Sequence, residues 1–255
     1  MRRALAAGAA VLALAVAACG EKAEPGASGD GARLTVSAAS SLKGALDAYA
    51  KDFAGARVRA QFAGSDELAA QIEQGVTPDV FAAANTKLPE QLFDERLVEQ
   101  PRVFAGNELV IAVPADGARV RSLDDLGRSG LKLAIGARSV PVGAYTREVL
   151  ARLGGSREQA ILANVRSEEP DVKGVVGKLT QGAVDAGFVY RTDVKAAGGK
   201  LEAIALPGRL QPKVAYAVAV VKGSEQPALA RRYIEGLVSG QGQEALRAAG
   251  FLPPP

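Results

Sequence analysis

The sequence predicts an α/β fold in which mostly parallel sheets are covered by helices. Runs rich in β-branched residues, such as Leu109–Val113 and Ala217–Val221, have the composition of buried strands. Between such runs apolar residues recur at helical spacing, as in Leu42, Leu46 and Tyr49. Because strand-like and helix-like segments alternate, we expect parallel strands with a crevice outside their carboxyl ends.

Residues that start or stop secondary structure bound most of these segments. Pro114 stops one strand, Gly75 can cap a helix at its carboxyl end, and Asp171 can cap one at its start. The predicted strands begin at Leu34, Val58, Asp79, Leu109, Leu131, Val184 and Ala217. The predicted helices begin at or near Ser41, Ser65, Ser122, Pro141, Asp171, Ala228 and Gln241.

The two long apolar strands are candidates for the places where the chain crosses between two lobes. On this interpretation residues 33–113 and 206–255 form the first lobe, and residues 114–205 form the second. About 220 residues from Leu34 onward are enough for two modest lobes.

The amino terminus has the pattern of an export leader. Arg2 and Arg3 precede an apolar run, residues 4–18, which is shorter than the roughly 20 residues of a bilayer span. The run ends in Val-Ala-Ala-Cys, which resembles a lipobox with Cys19 as the lipidated residue. We therefore expect a lipoprotein signal peptide (1–18), a flexible tether (19–32) and an extracytoplasmic protein anchored on a membrane. An ordinary secretory leader is the alternative.

Composition excludes several classes of function. The chain has no histidine, and Cys19 is its one cysteine, so neither a Ser-His-Asp triad nor a histidine zinc site can form. The motifs for a nucleophile elbow, a P-loop and a dinucleotide fold are also missing. Without the two leader arginines the net charge is +1, since 29 of the 31 basic residues remain against 28 acidic ones. We expect no enzyme, no cofactor, no metal ligand and no nucleic-acid partner.

Two segments share a pattern that suits anions. In each, a β-type run ends in small and hydroxyl residues that open a helix, and Ser41 and Ser65 lie at these two starts. The first N–H groups of a helix have no partner within it, and the helix dipole favours negative charge there. The alternative interpretation is that both serines only cap helices.

Five short motifs, in order along the chain, resemble the signatures of the periplasmic molybdate-binding proteins of ABC transporters. The resemblance extends from Leu34 to the carboxyl terminus. The motifs are Ala38–Leu42, Phe62–Ser65, Val140–Tyr145, Asp171–Val172 and Gly187–Tyr190.

The resemblance implies a two-lobed fold of the type II periplasmic binding proteins that closes on a tetrahedral oxyanion, molybdate or tungstate. It implies that Ser41 and Ser65 bind through hydroxyl and backbone N–H, Val142 and Val172 through backbone N–H, and Tyr190 through its phenol. It also implies a monomer that passes the anion to an ABC permease.

Other ligands and one other class remain open. A cage that only donates hydrogen bonds leaves the proton of hydrogen phosphate unpaired, so it favours fully deprotonated dianions. A receptor for sulfate or phosphate is an alternative, and a serine hydrolase acting through Ser41 or Ser65 is a further one. Asp66 and Glu67 depart from the expected neutral surroundings of the anion, although acidic residues also suit the first turn of a helix.

Overall fold

The computed structural model describes residues 31–255. The predicted leader and nearly all of the predicted tether, with Cys19, lie outside the described residues. The strands are β1 Arg33–Ala39, β2 Arg57–Ala63, β3 Val80–Ala83, β4 Arg102–Asn107, β5 Leu109–Pro114, β6 Leu133–Gly136, β7 Val165–Glu169, β8 Ala186–Tyr190, β9 Leu201–Ala205 and β10 Val214–Val220. The helices are α1 Lys43–Asp52, α2 Ser65–Glu73, α3 Lys87–Asp94, α4 Pro141–Leu153, α5 Gly155–Leu162, α6 Val172–Thr180, α7 Arg191–Ala196, α8 Pro227–Ser239 and α9 Gln241–Ala249. Single 3₁₀ turns lie at Ser40–Leu42, Asp124–Gly127 and Gly208–Leu210.

The strands form two sheets of five, one in each lobe. The first sheet has the order β2-β1-β3-β10-β4, and the second has the order β7-β6-β8-β5-β9. In the first, β10 runs antiparallel to both its neighbours, and in the second β5 does the same. The other four strands of each sheet therefore point one way. The prediction of α/β lobes with mostly parallel strands is confirmed, and each sheet is mixed because of one reversed strand.

The reversed strands are the ones that the chain enters immediately after changing lobes. The chain leaves the first sheet at Asn107, passes Glu108 and begins β5 in the second sheet. It returns through residues 206–213 into β10. The predicted boundary after residue 113 therefore needs a correction, because β5 pairs with β8 and β9. A strand buried on both faces looks the same in either lobe, so its apolar sequence could not assign it.

Parallel register brings the ends of neighbouring strands to the same level. In the first sheet Ala39 of β1 pairs with Ala63 of β2, so the segments that follow begin side by side. In the second sheet Gly136 of β6 pairs with Glu169 of β7 in the same manner. These strand ends, with the helices that follow them, form the two walls of the cleft.

The sheets hold the core that keeps these ends fixed. Every residue of β3, β8 and β10 is buried. Helices α1 and α8 pack through Tyr49, which donates to the backbone carbonyl of Tyr233 at 3.1 Å. Among residues 31–255, no helix combines the length and the apolar character that crossing a bilayer requires.

Candidate functional site

A small cavity lies between the two lobes and contains all five of the predicted site residues in its wall. These are Ser41 and Ser65 from the first lobe, with Val142, Val172 and Tyr190 from the second. The cavity measures about 20 Å³. Pockets that bury drug-sized molecules measure about 300–1,000 Å³, so this one suits a ligand of only a few atoms. Whether the five residues bind that ligand stays a prediction.

Ser65 is the first residue of α2, and its hydroxyl already has a partner on one side. The backbone N–H of Ala84 donates to Ser65 Oγ at 3.1 Å. A hydroxyl that accepts from the protein keeps its own proton for another acceptor. No side chain among the described residues caps α2. At the start of α2, which lines the cavity, the first backbone N–H groups thus have no side-chain partner within residues 31–255, and the hydroxyl proton of Ser65 is not used in the bond with Ala84.

Ser41 lies in the 3₁₀ turn that connects β1 to α1. Its Oγ lies 3.0 Å from the hydroxyl of Tyr216, which belongs to the reversed strand β10. Tyr216 OH lies 3.4 Å from Asn107 Nδ2, at the end of β4. All three side chains are buried. The hydroxyl of Ser41 is thus held by a chain of side-chain hydrogen bonds behind the cavity wall.

The second lobe presents two further helix starts. Pro141 is the first residue of α4, where its missing N–H is no loss, and Val142 follows it. Asp171 precedes α6 and its carboxylate accepts from the backbone N–H of Gly174 at 2.9 Å. That capping bond satisfies the third residue of α6 and leaves the N–H of Val172 for the cavity. The valine side chains pack into the core, so their backbone is the part that can contact a ligand.

Tyr190 ends β8 and closes the cavity from the second lobe. Its side chain is 1% exposed, and its hydroxyl has no hydrogen-bond partner among residues 31–255. Burial raises the pKa of this phenol well above its usual range, so it remains protonated. A buried phenol that lacks a protein acceptor is a donor available to a ligand.

Buried Asp193 fixes the position of Tyr190. Its carboxylate accepts from the Tyr190 backbone N–H at 3.2 Å and from Lys173 Nζ at 2.9 Å. Burial raises the pKa of Asp193, while the Lys173 ammonium opposes that shift. This ion pair holds the start of α7 against α6 and so sets where the phenol points.

No lysine or arginine lines the cavity in the described part of the chain, and Asp171 is its one acidic residue. Asp66 and Glu67 do not line it; Glu67 is exposed and bonds Gln71 at 3.3 Å. Asp66 is half-buried beside Gly64, with Oδ1 unpaired within residues 31–255. The described residues hold no cluster of potential metal ligands. The arrangement can bind an anion through neutral donors, and it presents no nucleophile paired with a base.

Sequence reasoning missed the residues that hold the two serines in place. Tyr216 and Asn107 support Ser41, and Ala84 supports Ser65. Ser41 and Tyr216 are 175 residues apart in the sequence, and only the pairing of β10 beside β3 and β4 brings them together. The one available signal is a tyrosine in the middle of an otherwise aliphatic strand, Val214–Val220.

Comparison with known proteins identifies the family of the chain. The family model of bacterial extracellular solute-binding proteins matches residues 34–252. The molybdate-binding protein ModA of Mycobacterium tuberculosis is 35% identical, over 96% of this chain and 95% of that protein. A Bacillus subtilis protein, the putative ABC transporter substrate-binding lipoprotein YvgL, is 30% identical over 86% of this chain and 85% of its own.

A solved structure agrees with the fold. The periplasmic molybdate-binding protein of Azotobacter vinelandii superimposes with a TM-score of 0.77 at 23% identity, covering 87% of this chain and 100% of that one. The resemblance inferred from five short motifs is confirmed at the level of the family. Relatives of the chain include molybdate-binding proteins. The chain belongs to the bacterial extracellular solute-binding proteins, a family of binding proteins rather than enzymes.

Proposed function

We propose that this protein captures a fully deprotonated tetrahedral oxyanion, molybdate or tungstate, and delivers it to the permease of an ABC transporter. The observation that carries the proposal is the meeting of five donor-bearing positions at one small cavity between the lobes. Relatives at 35% identity are named as molybdate-binding proteins, which supports the same ligand.

Each donor has a role that follows from its position. Ser41 and Ser65 donate from the first lobe, and Val142, Val172 and Tyr190 donate from the second. An anion held by both sets bridges the lobes and favours their closure, because only the closed state supplies all of the donors. The first residues of several helices also direct the positive ends of their dipoles at the anion, which replaces a cationic side chain.

Chemistry of the donors also bears on which anion binds. Molybdate, tungstate and sulfate are dianions without a proton at neutral pH, whereas hydrogen phosphate carries a proton that needs an acceptor. Among the described residues Asp171 is the one carboxylate at the cavity, and its Oδ1 accepts from the backbone N–H of Gly174. The proposed ligand groups all donate, so the proton of hydrogen phosphate would replace a lone pair at one of them, and we expect this anion to bind more weakly than the unprotonated dianions.

Membrane attachment is a separate part of the proposal. Lipidation at Cys19, after removal of residues 1–18, would tether the binding domain outside the cytoplasm. The lipobox-like sequence before Cys19 supports this, as does a relative that is named a lipoprotein.

A panel of oxyanions tests the proposed ligand. Purified protein is mixed separately with molybdate, tungstate, sulfate and phosphate, and thermal unfolding and titration calorimetry are recorded. A ligand that binds only the folded state raises the melting temperature in line with its affinity. We expect large rises with molybdate and tungstate and a small one with phosphate. Stronger binding of sulfate or phosphate than of molybdate, or no response to any of the four, would overturn the proposal.

A further inference from the structure

We propose that Tyr216 and Asn107 are positioning residues that direct the proton of the Ser41 hydroxyl into the cavity. The inference rests on the proposed function, since it explains how the site would reject a protonated oxyanion. Neither residue touches the cavity, so both act through Ser41.

The orientation of the Asn107 amide is set first. The backbone N–H of Glu108 donates to Asn107 Oδ1 at 2.9 Å. A reversed amide would direct its NH₂ group at that N–H, placing two donors face to face. Nδ2 therefore points the other way, where it donates to Thr192 Oγ1 at 2.9 Å and to the hydroxyl of Tyr216 at 3.4 Å.

The direction of the next bond follows from the count of protons. An amide NH₂ group can only donate, so the Tyr216 oxygen accepts from Asn107. Tyr216 has a single proton, and Ser41 Oγ at 3.0 Å is its remaining neighbour in the chain of bonds. The phenol donates to Ser41, and the Ser41 proton is left for an acceptor on the cavity side.

Burial enforces this order. Tyr216 is 0% exposed, and Asn107 and Ser41 are 5% and 7% exposed, so bulk water cannot offer substitute partners. Burial also raises the pKa of Tyr216 well above its usual range, which keeps the proton that the chain of bonds needs. The ring of Tyr216 packs edge-on against Tyr190 at 5.9 Å between centroids, so the same residue supports two of the proposed donors.

The Ser65 hydroxyl is oriented in the same way by a different group, because its oxygen accepts from the backbone N–H of Ala84. Each of these two hydroxyls therefore accepts one bond from the protein, and its proton is left for the ligand. A ligand oxygen that carries a proton meets a donor at Ser41 and Ser65, which weakens its binding relative to an unprotonated oxygen. The proposed selectivity thus depends on buried residues that do not themselves contact the ligand.

Two variants test the inference, Tyr216→Phe and Asn107→Asp. The first removes the donor to Ser41 Oγ. The second replaces the NH₂ group by an oxygen of nearly the same size, so that Tyr216 donates to the carboxylate and Ser41 donates to Tyr216. In both variants the Ser41 proton is no longer directed into the cavity, so Oγ is free to face a protonated oxygen of the ligand. Tyr233→Phe is the matched control, because Tyr233 is also buried and its hydroxyl has no partner within residues 31–255.

The measured quantity is the ratio of the dissociation constants of phosphate and molybdate, from calorimetry at about pH 8. There both ligands are dianions, so the added charge of Asn107→Asp weakens both alike and cancels in the ratio. We expect the ratio to fall by about tenfold or more in both variants, the size of one hydrogen-bond mismatch, and to stay unchanged in Tyr233→Phe.

The outcomes separate the inference from the proposed function. An unchanged ratio in both variants, or a loss of molybdate affinity with phosphate still undetected, overturns the inference and leaves the proposed function intact. Wild-type protein that binds neither anion overturns both.

Discussion

Gly64 lies where the lobes touch beside the cavity, and its replacement by alanine isolates the contribution of closure to binding. A methyl group on Gly64 would lie 2.5 Å from the carbonyl oxygen of Pro170 and 3.3 Å from Val140 Cγ1, both in the second lobe. Carbon atoms and their neighbours settle at about 3.5 Å or more, so the lobes must separate by roughly 1 Å at this point.

The size of the effect follows from the hydrogen bonds that this separation disturbs. Gly64 immediately precedes Ser65, so a gap there withdraws the start of α2 from an anion held by the second lobe. Loss of one partner costs about 1–3 kcal/mol, which is roughly 5- to 150-fold in the dissociation constant. The backbone of Gly64, with φ −60° and ψ 137°, is open to alanine, and within the first lobe only the Asp66 side chain, with Oδ1 2.8 Å from the added methyl group, has to turn aside.

Calorimetric titration with molybdate measures the effect, and the melting temperature of the ligand-free protein checks the fold. Alanine at Gly64 should leave that temperature unchanged or slightly higher, since it restricts the unfolded chain. Gly44→Ala is the matched control, because Gly44 lies in α1 of the same lobe with no atom near its would-be methyl group. Wild-type affinity in Gly64→Ala would refute the reasoning that the closed contact at Gly64 is part of the bound state.

Four further predictions concern single side chains. Ser65→Ala should weaken molybdate binding by about 1–3 kcal/mol in calorimetry, and unchanged affinity would remove Ser65 from the site. Tyr190→Phe should weaken binding similarly while leaving the ligand-free protein as stable or more so, because it deletes a buried hydroxyl with no partner within residues 31–255; a lower melting temperature with full affinity would contradict this. Cys19→Ser should move the protein from the membrane fraction to the soluble one, and persistent membrane attachment would argue against lipidation. Burial raises the pKa of Tyr49 from 10.0 to about 12, with Arg232 opposing the shift. The free energy of unfolding should therefore stay constant up to about pH 10 and fall between about pH 10 and 12, because the phenol ionises first in the unfolded chain. Urea titrations across that pH range should show a shallower fall in Tyr49→Phe.

The sequence predicts those strands and helices that have a strong local pattern of apolar composition or capping residues. The β-branched run at Leu109–Val113 and the Pro-initiated helix at Pro141–Leu153 are read from composition and caps alone, and both are found. The helix expected from Ser122 is only a 3₁₀ turn at Asp124–Gly127. Strand β7, Val165–Glu169, escapes prediction, because a polar edge strand exposes much of its surface and lacks an apolar pattern.

The sequence predicts the residues that line the cavity better than it predicts the side chains that support them. Helix starts that follow parallel strands of one sheet gather at one edge, so the sequence predicts two helix starts at Ser41 and Ser65, and the pairing of β1 with β2 makes them neighbours. The partners behind them come from reversed or distant strands. Tyr216 reaches Ser41 because β10 inserts between β3 and β4, a pairing that no local pattern encodes.

Because the proposed donors are neutral, the selectivity of the site and the closure of the two lobes depend on the same hydrogen bonds. A cationic side chain would attract an anion at a distance, whatever the state of the lobes, whereas N–H and hydroxyl groups act only within about 3 Å and at suitable angles. Of the proposed donors, Ser41 and Ser65 belong to one lobe and Val142, Val172 and Tyr190 to the other. An anion that leaves one donor unpaired, or gives one a proton instead of a lone pair, weakens the force that holds the lobes together. Discrimination among anions of equal charge therefore has to come from the placement and direction of the donors, and residues that set either one, such as Gly64 in the cavity wall and Tyr216 behind it, belong to the specificity of the site.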